Sequence, residues 1–296
     1  MWVLDKVCRG GDRRLLVTGG SGYLGDWVVR LACTEWDVTA TYLSHVVDNP
    51  GADWRQLDVR EEEAVASLVD EVRPQVVVHT AALNPGQGSG FDAVNATGTR
   101  HVACAAAGVG ACLIHLSTDV LFDGQKGNYV EGDPPSPITP YGRSKALAEE
   151  AVRDSGVEAV IVRTSLIYGW RPTVARAVQW IVDDLRAGKR VRLWTDEVRC
   201  PIWVDSLAAA VIELAGSSYT GVLHVAGAQP LSRYEFGVRL LRFHGVDPSP
   251  VVPTPSPEDR PHPLDCTLDC SRARALLRTP LPGVDEVLDR ERNSAR

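Results

Sequence analysis

Arg14-Leu-Leu-Val-Thr-Gly-Gly-Ser-Gly-Tyr-Leu-Gly25 decides how this chain is read. Residues 15–17 form a short apolar run that reads as a buried strand. Gly19, Gly22 and Gly25 follow at a spacing of three, and a helical pattern covers residues 23–32. Glycines let a backbone turn tightly and approach a pyrophosphate, whose charge is met by N–H groups at the helix N-terminus. A glycine-rich stretch alone is equally a surface turn. A strand before it and a helix after it supply the context that nucleotide binding requires. Gly19, Ser21, Gly22, Tyr23, Leu24 and Gly25 are therefore expected to hold a dinucleotide.

Strand and helix patterns alternate from there. Residues 37–42 and 54–57 read as a second and third strand, and 61–72 as an amphipathic helix with Val65, Leu68, Val69 and Val72 on one face. Residues 75–79 form a continuous apolar strand, 91–107 an alanine-rich helix, and 111–117 another buried strand. β-Branched runs separated by helices mean a parallel sheet covered on both faces. The expected fold is α/β: a doubly wound parallel (Rossmann) sheet with a smaller C-terminal substrate-binding lobe. Residues 1–165 are assigned to the NAD(P)-binding domain and 166–296 to the substrate-binding lobe, whose pieces interleave with it.

Tyr141-Gly-Arg-Ser-Lys145 places a phenol and an ammonium four residues apart at the start of a helical segment. Such residues share a helix face. A free phenol has a pKa of about 10, and a neighbouring cation would draw it toward the working range. Many helices carry this pair by chance, so its company matters. The fifth strand ends in Ser117-Thr118-Asp119-Val-Leu-Phe-Asp-Gly124. Ligands of open α/β sheets bind beyond the carboxyl ends of strands, which puts the Ser117 and Thr118 hydroxyls over the expected site. There a hydroxyl can hold a substrate carbonyl for proton transfer from Tyr141.

These motifs resemble the extended short-chain dehydrogenase/reductases over about residues 15–275, and most of all their dTDP-4-dehydrorhamnose reductase-like branch. That branch carries an S-T-D-x-x-F-D-G segment like the one starting at Ser117, and a Y-x-E…P…Y-G-x-S-K-x-x-x-E run. The run is matched by Tyr129, Glu131, Pro137, Tyr141, Lys145 and Glu149. A late R-P…L-D-x-S-R-A stretch is echoed at Arg260-Pro261 and from Leu268 to Ala273. The resemblance implies that Thr118, Tyr141 and Lys145 are catalytic, with Tyr141 and Lys145 also meeting the cofactor. It implies that Asp58 and Val59 contact adenine, that Ala81 and Ala82 line the cofactor, and that Asn95 is structural. Two departures lean toward sugar-nucleotide epimerases and dehydratases: Tyr23-Leu24 after the second motif glycine, and Arg199-Cys200-Pro201 before a late helix.

The second strand ends Thr41-Tyr42-Leu43-Ser44-His45, without the acid that would accept from a ribose 2′-OH and repel a 2′-phosphate. Ser44 and His45 can donate to such a phosphate, so NADPH is the expected cofactor, with NADH the alternative. Arg171, Arg199 and Arg260 are candidate clamps for a substrate diphosphate, since guanidinium binds phosphate bidentately. Ser117 and Asp119 are further candidates for substrate contact. The expected activity is NADPH-dependent reduction of a 4-keto nucleotide-linked deoxysugar. Alternatives are a nucleotide-sugar 4-epimerase and, from another class, a binding subunit resembling the methionine adenosyltransferase β subunit.

Composition fits that expectation. The chain has 296 residues and a net charge of −7, which argues against a generic nucleic-acid surface. Seven cysteines lack a C-x-x-C pair; Cys33, Cys104 and Cys112 fall in apolar elements and read as buried thiols of a reducing compartment. Seven histidines show no metal spacing, and no metal is expected. Residues 1–12 read as neither signal peptide nor membrane span. The expected setting is cytoplasmic, with a nucleotide-sugar partner, no nucleic acid or membrane partner, and a homodimer as the assembly to look for.

Overall fold

The computed structural model describes residues 13–170, 176–257 and 262–294. The chain begins with β1 (Arg14–Thr18), α1 (Tyr23–Ala32), β2 (Asp37–Tyr42), β3 (Asp53–Gln56), α2 (Glu62–Val72) and β4 (Val76–His79). A π turn (Asp92–Thr97) then leads into α3 (Gly98–Val109), β5 (Cys112–Thr118), α4 (Pro140–Asp154) and β6 (Ala159–Thr164). Next come β7 (Ile167–Tyr168), α5 (Arg176–Arg186), β8 (Val191–Trp194), β9 (Val198–Arg199), β10 (Ile202–Trp203) and α6 (Val204–Ala215). The last elements are β11 (Gly221–His224), β12 (Leu231–Ser232), α7 (Arg233–Phe243), β13 (Val251–Thr254), α8 (Ser271–Leu276) and α9 (Val284–Ser294).

Seven strands form one parallel sheet in the order β11-β6-β5-β4-β1-β2-β3. Because successive side chains on a strand alternate between faces, β1 feeds both cores. Leu15 and Val17 pack with Val28 and Val29 of α1 and with Leu207 and Val211 of α6. Leu16, on the other face, joins Val65 and Leu68 of α2, Val102 of α3 and Val152 of α4. A separate cluster around Tyr168, Leu193, Trp203, Phe236 and Val287 forms the core of the C-terminal elements. Strand order reverses between β1 and β4, and a crevice at such a reversal is where dinucleotides lie.

Local chemistry sets the element ends. Thr139 caps α4, its hydroxyl accepting from the Gly142 amide at 3.0 Å, and Pro140 takes the first helical position, which needs no N–H. A reciprocal Ser232–Glu235 capping box starts α7. The alanine-rich helix expected over 91–107 is not uniform: it opens as a π turn, which a periodicity argument does not reveal. That turn carries Asn95 inward. Its side chain accepts from the Leu83 amide at 2.8 Å and donates to the Leu83 carbonyl and the Ser144 hydroxyl, each at 3.0 Å. Cys104 is exposed on α3 and Cys33 and Cys112 are half-buried, correcting their reading as buried thiols; among the described residues Cys200, Cys266 and Cys270 are the buried ones.

Three histidines are buried in the sheet. Burial holds His79 down at about 3 and His224 at about 4, and keeps His115 well below the ordinary imidazole range. Unfolded, each takes a proton near pH 6.5. The unfolded chain therefore binds more protons than the folded one as pH falls from 6.5 toward 4, and stability must drop across that window. Each histidine contributes a slope of about 1.4 kcal/mol per pH unit there. Denaturant midpoints at pH 7.5, 6 and 5 are expected to fall together; a flat profile would mean that these rings are charged in the fold. No helix among the described residues is long and apolar enough to cross a membrane.

Candidate active site

The glycine loop is tight enough that side chains cannot enter it. Gly19 has φ +74°, and a Cβ there would stand 2.6 Å from the backbone N and Cα of Ala81. A Cβ on Gly25 would run into the Gly19 carbonyl. The loop is tied to the end of β2, because the Gly19 amide donates to the Thr41 hydroxyl at 3.0 Å. Gly22 caps α1 without any side-chain hydrogen bond. The amides of Tyr23, Leu24 and Gly25 thus face outward from the helix end, where the peptide dipoles favour an anion. This cradle fits the pyrophosphate of a dinucleotide. Half-buried Ser21 lies in the loop, its amide 3.4 Å from the Thr41 carbonyl. The Tyr23 hydroxyl occupies the space that a side chain at Gly169 would need.

Around the cradle, Ser44 and His45 lie exposed beyond β2, with the Ser44 Oγ 3.1 Å from His45 Nδ1. Asp58 follows β3, and the Arg60 guanidinium clasping it holds its carboxyl below the usual range. Val59 is buried; its carbonyl lies 3.0 Å from His101 Nδ1, and its side chain fills the space beside Gly98. Ala81 and Ala82 are half-buried beyond β4.

Thr118, at the end of β5, donates its hydroxyl to Asp119 Oδ1 at 3.3 Å and accepts from the Val120 amide at 3.3 Å. Tyr141, in the first turn of α4, meets Phe91 edge-on at 5.8 Å and donates to Asn84 Oδ1 at 3.3 Å. Burial, reinforced by Asp119, pushes the phenol up to about 12, while the Thr118 hydroxyl pulls the other way. Lys145 is buried one turn further on, and burial lowers it to about 8 against the opposing pull of Glu149. Its ammonium does not turn to Tyr141. It donates to the Leu116 carbonyl at 2.6 Å, with His115 Nε2 at 3.4 Å. The expected lowering of the phenol by Lys145 is thus absent from this arrangement, and desolvation controls it instead. The acid form of Tyr141 is the one populated near neutral pH.

Several expected substrate contacts face inward. Ser117 donates to buried Glu149 Oε1 at 2.6 Å rather than standing over the site. Asp119 accepts from Ser165 at 2.5 Å and has Arg199 at 3.8 Å; burial raises its pKa and Arg199 opposes this. Arg199 is 6% exposed and spends its donors on the carbonyls of Val198, Leu264 and Pro263, each at 2.8 Å. With Asp119 and Glu197 also at 3.8 Å, its charge is compensated internally, so it is not a diphosphate clamp. Arg171 and Arg260 lie outside the described residues.

One residue escaped the sequence reading, and a second, which its central strand marks as a core or site-wall residue, proves to touch the site. His115 touches Lys145, as above. Arg233, the first residue of α7, is half-buried, with its amide on the Glu197 carbonyl at 2.9 Å. Its guanidinium makes no hydrogen bond or ion pair with a described residue, and burial lowers its pKa while Glu197 supports the charge. The one hint in the sequence is a cation at a helix start, where the peptide dipoles oppose it. No cluster of metal-binding side chains occurs among the described residues.

A family model described as the RmlD substrate binding domain matches residues 13–292. A probable low-salt glycan biosynthesis reductase of Haloferax volcanii is 33% identical over 287 residues, covering 92% of this chain and 95% of that protein. The dTDP-4-dehydrorhamnose reductase of Mycobacterium tuberculosis is 33% identical over 268 residues, 86% of this chain and 83% of that one. Mouse (Mus musculus) methionine adenosyltransferase 2 subunit beta is 28% identical over 296 residues, 94% and 87% of the two chains. In three dimensions, dTDP-4-dehydrorhamnose reductase from Bacillus anthracis, solved in complex with NADP, superimposes with a TM-score of 0.80 at 25% identity, covering 96% of this chain and 98% of that one. The family match runs from the start of β1 into α9, and the chain belongs to the RmlD substrate binding domain family.

Proposed function

We propose that the protein is an NADPH-dependent reductase of a 4-keto nucleotide-linked deoxysugar. The observation that carries this is the protonated phenol of Tyr141 beside the Thr118 hydroxyl, at the carboxyl ends of the strands and next to a cradle built for a pyrophosphate. The names of the Haloferax and Mycobacterium relatives support a sugar-nucleotide reductase, and the Bacillus complex supports a nicotinamide cofactor.

A nicotinamide cofactor held at the glycine loop and the start of α1 would supply the hydride chemistry at the carbonyl carbon. Thr118 orients the carbonyl oxygen through its hydroxyl, and Tyr141 gives that oxygen its proton as the alkoxide develops. A phenol with a high pKa remains charged with its proton until strong basicity appears at the oxygen. Lys145 keeps its ammonium on the Leu116 carbonyl at the base of the site, from where its part is to meet the cofactor rather than to acidify Tyr141. Arg233, as an unpaired and partly desolvated guanidinium near Asp119, suits the diphosphate of the substrate.

Cofactor choice follows from the end of β2. Leu43, Ser44, His45, Val46 and Val47 include no acid, while Ser44 and His45 are exposed donors. NADPH is expected to bind more tightly than NADH in a direct titration; equal or tighter NADH binding would reverse the assignment.

The reaction is tested by a panel of 4-keto nucleotide sugars with NADPH absorbance as the readout. Stoichiometric NADPH oxidation with a dTDP-4-keto-6-deoxysugar or a close relative is expected. Unchanged absorbance with interconversion of C4 epimers would make the protein an epimerase. Inertness toward the whole panel, together with a stably co-purifying protein, would favour a binding subunit like the methionine adenosyltransferase relative.

A further inference from the structure

His115 sits in the middle of β5 with no exposure, and its ring stacks on His79 of β4 with centroids 5.4 Å apart. The tautomer of His79 follows from its neighbours. The Thr99 hydroxyl gives its proton to the Asn95 carbonyl at 2.5 Å, so His79 Nε2 must donate to Thr99 at 2.9 Å. His79 Nδ1 then accepts from the Thr18 hydroxyl at 2.6 Å. Both nitrogens of His79 are satisfied, and the ring is a fixed wall.

His115 is different. An ammonium has no lone pair, so with Lys145 Nζ at 3.4 Å, Nε2 of His115 is the acceptor and Nδ1 carries the proton. That Nδ1 is buried and has no hydrogen-bond partner. An apolar side chain would fill a core position without an unpaired N–H. The imidazole is therefore explained by what its other nitrogen does. We infer that His115 positions Lys145: its Nε2 and the Leu116 carbonyl form a seat that keeps the amine charged and one helical turn below Tyr141.

The groups facing the seat are few. From β4 comes His79, from β5 His115, and from α4 Glu149. Glu149 is itself engaged by Arg163, Arg153 and Ser117. Removing the Nε2 acceptor leaves a desolvated ammonium with one partner fewer, which favours the neutral amine. The catalytic part of this inference rests on the reductase reading; the seat itself does not.

The chain has four lysines, so Lys145 can be followed in the full-length, cofactor-free protein by NMR of 13Cε-labelled lysine, assigned with Lys145→Met. His115→Gln offers an amide oxygen near the lost Nε2, whereas His115→Asn is polar but too short and His115→Leu is apolar. The Lys145 midpoint is expected to fall by about one pH unit in the Asn and Leu variants and to stay near the parent in the Gln variant. With substrate, the alkaline limb of kcat/KM should move in the same pattern. Unchanged midpoints in the Asn and Leu variants, or a Gln variant shifted as far as Leu, would overturn the inference. Failure of all three to fold would assign His115 to the core and overturn it equally. A shifted midpoint in a protein that reduces none of the panel would refute the reductase reading and leave the seat standing.

Discussion

Tyr141→Phe is expected to bind NADPH like the parent and to turn over about 10²-fold more slowly or worse, the loss that follows removal of a positioned general acid. The ring keeps its edge contact with Phe91, and the hydrogen bond from the hydroxyl to Asn84, at 3.3 Å, is long. Little structural energy is therefore at stake. The lost group is the proton donor itself, and burial keeps that phenol fully protonated near neutral pH. Cofactor fluorescence titration and steady-state kinetics on the same preparation separate the two effects. Turnover within a few-fold of the parent would remove Tyr141 from the mechanism.

Arg163→Met is expected to cost about 3–5 kcal/mol of folding stability, the range for breaking a buried ion pair from one side. Arg163 on β6 holds Glu149 of α4 through two hydrogen bonds, at 3.0 and 2.8 Å, with both side chains almost wholly out of solvent. Burial pushes the Glu149 carboxyl up, but Arg163, Ser117 and Arg153 together hold it below its ordinary value. Without Arg163 a carboxylate stays in the interior with partial compensation. Glu149→Gln on top of Arg163→Met should recover part of the loss by removing the charge. Urea unfolding of the parent, single and double variants checks this; a single-variant loss below about 1 kcal/mol would show that water reaches Glu149. The pair also bears on the site, because Glu149 lies one turn from Lys145 and fixes how α4 sits against β5.

Much of the fold could be read from the residues because β1, β4 and β5 are dense apolar runs and α2 shows its apolar face. β2 and α1 coincide with their expected spans, and the glycine loop falls between strand and helix as its spacing requires. Tyr141 and Lys145 were legible as a pair because their spacing is a property of one helix. Their mutual orientation was not, since it depends on His115, which stands on another element thirty residues earlier. Arg199 shows the same limit. Its guanidinium is consumed by carbonyls at Pro263 and Leu264, a segment that no local pattern connects to it. Ser117 was placed at the right strand end, but Glu149 turns its hydroxyl inward. Arg233 went unnoticed for a related reason: what singles it out is burial of its guanidinium near Glu197, Arg199 and Asp119, residues brought to it by other elements.

The C-terminal half returns twice to the nucleotide-binding sheet. β11 adds the edge strand beside β6, and α6 lays Leu207 and Val211 against the core shared with α1. A gene fusion cut at residue 165 would therefore leave α1 alone on one face of the sheet and expose the edge of β6. Anyone grafting a new specificity onto this scaffold would have to leave β11 and α6 in place and exchange only the segments between and after them. The modular unit for recombination is a set of loops and short helices threaded through a fixed frame, not a detachable half.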